Sequence, residues 1–154
     1  MNITIEHAYD HLDIIRTLFT EYAAGLNIDL QFQDFKRELD RLPDKYALPD
    51  GRLYIATVDG MIAGCVALRR FDKTRCELKR LYVREPFRHQ GIGRDLSLKV
   101  IGDAKEIGYG QILLDTLSSM ESAMNLYQSL GFRQIEAYYH NPIENAVYFC
   151  LDLN

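Results

Sequence analysis

Residues 88–93, Arg88-His89-Gln90-Gly91-Ile92-Gly93, constrain this chain more than any other stretch. An aliphatic run ending at Val83 precedes them, and Pro86 breaks it. A helical period follows, with Leu96, Val100, Ala104 and Ile107 on one face and Gly108 closing it. Gln111 to Leu117 then reads as a second strand. Strand, helix, strand at this spacing is a βαβ unit, so its two strands run parallel. Successive N–H groups and the helix N-terminus can converge on an anion there, with Arg88 and Arg94 as further cationic donors. Glycine lets phosphate oxygens approach the backbone where a Cβ would collide. A dinucleotide fingerprint needs a third glycine where Leu96 stands. A phosphate loop needs Gly-Lys-Ser/Thr, which is absent. A plain turn into a helix is the competing reading.

The flanking segments complete an α+β pattern. Ile3 to Glu6 reads as a strand. Residues 10–24 form a helix with Leu12, Ile15, Phe19 and Tyr22 inward and Gly25 as its cap. A second helical period over residues 31–42 carries Phe32, Phe35, Leu39 and Leu42, and Pro43 ends it. Leu53 to Val58 and Ile62 to Phe71 are strands joined at Asp59-Gly60, a hairpin signal. Cys76 to Val83 is the strand before the loop. Residues 121–130 form a helix with Ala123, Leu126, Tyr127 and Leu130 inward, capped by Gly131. Phe132 to Tyr139 and Ala146 to Leu153 are the last strands.

The 154 residues suit one domain, with no repeat or long linker. Cys65, Cys76 and Cys150 are widely spaced and read as reduced thiols of a cytoplasmic protein. His7, His11, His89 and His140 have no metal spacing, so no metal is expected. The N-terminus lacks a secretory pattern, and no apolar run approaches the ~18 residues that span a membrane. The net charge is −4. Residues 79–94 hold Lys79, Arg80, Arg84, Arg88 and Arg94 against Glu85 alone, while residues 1–50 hold ten acids against five bases. One basic stretch in an acidic chain argues against nucleic acid and for one small anionic ligand.

Leu81-Tyr82-Val83-Arg84-Glu85-Pro86-Phe87-Arg88-His89-Gln90-Gly91-Ile92-Gly93 resembles the acetyl-CoA loop of the GNAT superfamily of N-acetyltransferases. Ala123-x-x-Leu126-Tyr127-x-x-Leu130-Gly131-Phe132 resembles the second signature of that family, in the right order. The clear resemblance covers residues 76–139. It implies one acetyltransferase domain over 1–154, with helices on both faces of a mixed, mostly antiparallel sheet. The central parallel strands would splay apart to admit pantetheine. Main-chain groups of Leu81 and Val83, next to Tyr82, would bind the thioester carbonyl and the pantetheine arm. Residues Arg88, His89, Gln90, Gly91, Ile92 and Gly93 would take the pyrophosphate, with Arg94 beside them.

The chemistry implied is attack of an amine on the thioester of acetyl-CoA in a ternary complex. The leaving thiolate gains from a general acid, and Tyr127 occupies the place of the family's tyrosine; packing on an apolar stripe is its alternative. Glu77, eleven residues before Arg88, matches a glutamate used as base in the histone-acetylating branch. On an alternating strand it shares a face with Leu81 and Val83; an ion pair with a cation such as Lys79 is the alternative. Many relatives carry Asn where Met120 stands, and Ser118 or Ser119 could replace it.

Acceptor specificity belongs to residues 20–50 and to the loop 138–145 with Tyr138, Tyr139, His140 and Pro142. Glu21, Asp29 and Asp34 are expected to border the acceptor side and favour a small cationic amine. The expected partners are that small molecule and a possible homodimer, without nucleic acid or membrane. A non-catalytic acyl-CoA sensor and an enzyme acting on a protein amine are the alternatives.

Overall fold

A computed structural model describes residues 1–26, 29–30 and 34–153. Seven strands form one sheet: β1 (Ile3–His7), β2 (Arg52–Val58), β3 (Met61–Arg70), β4 (Arg75–Val83), β5 (Gln111–Leu117), β6 (Arg133–Ile135) and β7 (Ala146–Asp152). Their spatial order is β1-β2-β3-β4-β5-β7-β6. Among the described residues only β4 and β5 pair in parallel, as the βαβ reading requires. Among the described residues, four α-helices flank the sheet: α1 (Leu12–Leu26), α2 (Phe35–Asp40), α3 (Ile92–Ile107) and α4 (Glu121–Ser129). Among the described residues no helix is long and apolar enough to cross a membrane.

Strand alternation sends side chains to two cores. Tyr54, Val66, Leu68 and Leu78 meet Leu96, Val100 and Ala104 of α3 and Tyr127 of α4 on one face. Leu53, Ile55, Cys65 and Ala67 meet Ile15, Leu18 and Phe19 of α1 and Tyr46 on the other. β3 serves both cores, so Ala63, Cys65, Val66, Ala67 and Leu68 are all buried.

Three elements differ from the sequence pattern. α1 runs through Gly25 to Leu26 instead of ending there. The described part of the second helix is only Phe35–Asp40, and Phe32 lies outside the described residues. The strand expected over 132–139 pairs only at Arg133–Ile135. Beyond it the chain leaves the ladder, and the Tyr138 and Tyr139 hydroxyls bond to Glu77 and Asp115.

The feature that shapes the site is a bulge in β4. Lys79 lies opposite Ala67 and Tyr82 opposite Cys65, so Arg80 and Leu81 together face Val66. Arg80 takes φ 60 to accommodate the extra residue. Alternation therefore slips by one. Cys76 and Leu78 face α3, and so do Leu81 and Val83, while Tyr82 packs on the α1 side. Gly64 is required here, because a Cβ on it would come within 2.3 Å of the Tyr82 carbonyl oxygen.

Candidate active site

The parallel pairing of β4 and β5 stops early. It joins Arg75 to Gln111, Cys76 to Ile112 and Glu77 to Leu113, and no further. β5 continues along β7 to Leu117, and β4 continues along β3 to Val83. The two strands part because each follows its antiparallel neighbour. The opening encloses about 720 Å³ together with its mouth, between Leu78–Leu81 of β4 and Asp115–Leu117 of β5.

β4 presents free backbone to this opening. The Arg84 N–H donates to the Ala63 carbonyl at 2.7 Å, so strand alternation turns the Val83 groups to the open side. The Val83 carbonyl accepts from Arg88 Nε at 2.9 Å. The chain then makes a 3-10 turn at Glu85–Phe87 and enters α3. His89 and Gly91 both take positive φ, 64° and 84°. A Cβ on Gly91 would meet nothing within 4 Å, so glycine serves the left-handed turn, while the space beside it stays open. The first bond into α3 runs from the Asp95 N–H to the Gly91 carbonyl at 3.0 Å. The N–H groups of Ile92, Gly93 and Arg94 therefore have no helical acceptor, and they carry the positive end of the helix dipole. Arg88, His89, Gln90 and Arg94 are exposed around them. Gly93 lies close to Leu126 and Val83, which holds the loop between β4 and α4. Backbone donors at a helix start, beside an open strand edge, fit a pyrophosphate followed by an extended arm.

Tyr127 projects from α4 into the opening. It is 6% exposed, with Phe132 at 5.7 Å and Phe149 at 6.3 Å between ring centroids. Its hydroxyl makes no hydrogen bond with any described residue, and burial pushes its phenol well above the usual range. Met120 caps α4 and lines the cleft, whereas Ser118 and Ser119 are exposed at its edge. The polar groups that line the cleft near Met120 are those of Thr116 and Asn141.

Glu77 lies elsewhere than alternation implied. The bulge puts it on the opposite face of the sheet from Leu81 and Val83. It is 2% exposed. Arg69 Nε donates to its Oε1 at 2.9 Å, and the Tyr138 hydroxyl donates to Oε2 at 2.5 Å. Lys79 Nζ lies 4.0 Å from Oε1. Burial raises its pKa, but Lys79 and Arg69 outweigh that and hold the carboxyl below its usual range. The acids expected to face an acceptor are also occupied or exposed. Glu21 takes Arg84 through two bonds at 2.7 and 3.0 Å and a third from Tyr82 at 3.1 Å. Asp29 and Asp34 are exposed.

Sequence reasoning counted Lys79 and Arg80 in the basic stretch and weighed Lys79 as a partner of Glu77, but it placed neither of them in the cleft and passed over Asp115. The signal that all three share in the sequence is that they interrupt apolar strands. Among the described residues no three metal-ligating side chains come together, and the three cysteines are buried free thiols.

A family model described as the Acetyltransferase (GNAT) family matches residues 13–132. Over 97% of both chains, the protein is 34% identical to an uncharacterised N-acetyltransferase of Dictyostelium discoideum. The structure of a GNAT-family acetyltransferase from Staphylococcus aureus aligns with a TM-score of 0.81, covering 99% of this chain and 100% of that one at 23% identity, a likeness of fold. A Bacillus subtilis acetyltransferase solved with CoA is 29% identical, covers 72% of this chain and 82% of its own, and has a TM-score of 0.59.

Proposed function

The chain belongs to the GNAT acetyltransferase family, and from that premise we propose that residues 1–154 act as one acetyltransferase domain that moves an acetyl group from acetyl-CoA to the primary amine of a small acceptor. The observation that carries the proposal is Tyr127, a buried residue that lines the gap between β4 and β5 and whose hydroxyl makes no hydrogen bond with any described residue.

The cofactor enters along the α3 start. Its pyrophosphate takes the N–H groups of residues 91–94, with Arg88 and Arg94 as cations; His89, Gln90 and Ile92 shape the loop. Arg88 then releases the Val83 carbonyl, and pantetheine pairs with the open β4 edge at Leu81 and Val83 beside Tyr82. The thioester arrives where the strands part. The amine nitrogen attacks the thioester carbon, an amide bond forms and the carbon–sulfur bond breaks. Tyr127 gives its proton to the departing sulfur, and solvent restores it. Backbone N–H groups on β4 offset the charge that develops on the thioester oxygen.

Glu77 is a weak base in this arrangement, since two cations and a tyrosine already hold its charge. It acts as a positioning residue for Lys79 and Tyr138. The amine then loses its proton to solvent at the cleft mouth. Of the acids expected to favour a cationic acceptor, Glu21 is paired with Arg84, while Asp29 and Asp34 are exposed.

The test is release of free thiol from acetyl-CoA across a panel of amines. Turnover with any amine supports the enzyme reading. Tight CoA binding with no turnover and no effect of Tyr127→Phe would leave a sensor. Absence of CoA binding would overturn the assignment of the loop.

A further inference from the structure

We propose that the acceptor is a primary amine on an apolar body, and that Asp115 of β5 receives its amine end beside the parted strands. The inference rests on the acetyltransferase reading and names the class of molecule that fills the other half of the cleft.

Asp115 stands two residues beyond Leu113, the last residue of β5 that pairs with β4. It is half-buried and lines the cleft. Its neighbours Ile112 and Leu114 face α3, so alternation puts Asp115 on the α1 side. Two groups hold it there. The Tyr139 hydroxyl donates to Oδ2, and Asn141 Nδ2 reaches the same oxygen at 3.3 Å and the Tyr139 hydroxyl oxygen at 3.0 Å. Both donors are neutral, so they orient the carboxylate without cancelling its charge. Both bonds end on Oδ2, and Oδ1 accepts none from a described residue. The other charged side chains among the described residues of the lining are Lys79 and Arg80, and each already meets a carboxylate. Lys79 Nζ lies 4.0 Å from Glu77, and Arg80 bonds Glu38 twice at 3.0 Å. An incoming ammonium therefore finds Oδ1 of Asp115 as its acceptor. Solvent takes one proton at the cleft mouth, and a remaining N–H still donates to Oδ1 while the nitrogen lone pair meets the thioester carbon. The charge of Asp115 is felt across the gap: burial first, then Tyr22 and Asp115, raise the Tyr127 phenol. An ammonium beside Asp115 offsets that field where Tyr127 gives up its proton.

The rest of the acceptor meets an aliphatic wall. Leu26 closes α1, Leu30 follows it, and Ile143 lies in the loop before β7. All three line the cleft, and none of them joins either packed core. α1 covers the sheet face opposite α3, so this wall lies away from the helix start proposed for the pyrophosphate. Small-molecule sites combine a mostly apolar lining with a few placed polar groups. Here Asp115 and Asn141 are the polar groups, and the three aliphatic side chains face what is attached to the amine. An alkyl or aryl body gains by leaving water against them. A body that ends in a second charge or a hydroxyl must shed its water there instead.

The experiment uses the whole protein loaded with acetyl-CoA. Hexylamine, 6-aminohexan-1-ol, 6-aminohexanoate and 1,6-diaminohexane share one chain length and differ at the far end. They are compared in kcat/KM by thiol release, and each is titrated calorimetrically into the CoA complex. Hexylamine should exceed the other three by about tenfold or more, the cost of stripping water from one polar end. Asp115→Asn keeps an acceptor for Tyr139. It should raise KM for hexylamine about tenfold or more, change kcat less, and leave CoA affinity and the binding of hexan-1-ol, which has no amine, unchanged. Equal or better use of 6-aminohexanoate or 1,6-diaminohexane would overturn the apolar body while the acetyltransferase reading stands. An unchanged KM in Asp115→Asn would overturn the role of Asp115. If no amine turns over, calorimetry decides, and hexylamine that binds no tighter than 6-aminohexan-1-ol overturns the proposal. Failure of CoA itself to bind would strike the acetyltransferase reading instead. The wild-type panel decides even if Asp115→Asn fails to fold.

Discussion

Arg80 and Glu38 form a buried two-bond ion pair, Nε to Oε2 and Nη2 to Oε1, both at 3.0 Å. The pair fastens α2 to the β4 bulge beside the opening between β4 and β5, and Phe35 and Tyr22 lie over the guanidinium at 5.1 and 5.8 Å.

Removing one partner should therefore be expensive. Glu38→Ala leaves Arg80 buried without its counter-charge, and the expected loss is about 3–5 kcal/mol in urea unfolding. A loss near zero would mean that the guanidinium escapes to water. The pair also predicts an acid limb. Glu38 has its pKa lowered to about 2: Arg80 and Lys45 together overcome the opposing burial. A depressed folded pKa stabilises above the unfolded value, and that contribution fades as pH falls through the folded one. Unfolding free energy should drop by roughly 3 kcal/mol between about pH 4.5 and pH 2 from this group, and Glu38→Gln should flatten that limb.

Gly91→Glu should abolish CoA binding measured by calorimetry. The change puts negative charge at the phosphate donors and forces a side chain into φ 84. Gly91→Ala tests the backbone alone, since its Cβ meets nothing; it should weaken binding modestly. Unchanged affinity in a folded Gly91→Glu protein would move the pyrophosphate to another place.

Tyr127→Phe separates catalysis from packing. The hydroxyl makes no hydrogen bond with any described residue, so the melting temperature should hold. Turnover should fall about 10²–10⁴-fold with CoA affinity little changed, the usual size of a lost general acid. Full activity would return Tyr127 to a packing role.

Glu77→Gln distinguishes a base from a positioning group. Loss of positioning raises KM for the acceptor and leaves the shape of the pH profile, in which kcat/KM climbs with the ionisation of the amine. Should the wild type show an acidic limb below the usual carboxylate range that disappears in Glu77→Gln, Glu77 would be the base after all.

The sequence by itself determined whatever consecutive residues carry. The strand–helix–strand around Arg88 and Gly91 was readable because tight turns and helical periods are written within a few positions. The Asp59-Gly60 turn closes β2 on β3 as expected, with φ 51 and 83. Tyr127 was found because it stands where the resembled family's second signature has its tyrosine, on a helix whose apolar stripe faces the sheet.

Tertiary structure decided what depends on partners far along the chain. Alternation along β4 put Glu77 with Leu81 and Val83, and the bulge reversed that, because it is set by the register with β3. No pattern in residues 76–83 announces a residue that takes φ 60. Pairing also decided which charges are available. Glu21 meets Arg84 across 63 positions and Arg80 meets Glu38 across 42. A count of acids and bases along the sequence treats those charges as separate, and the fold cancels them in pairs. Lys79 and Arg80 come to lie buried beneath the parted strands only once the sheet has closed around them.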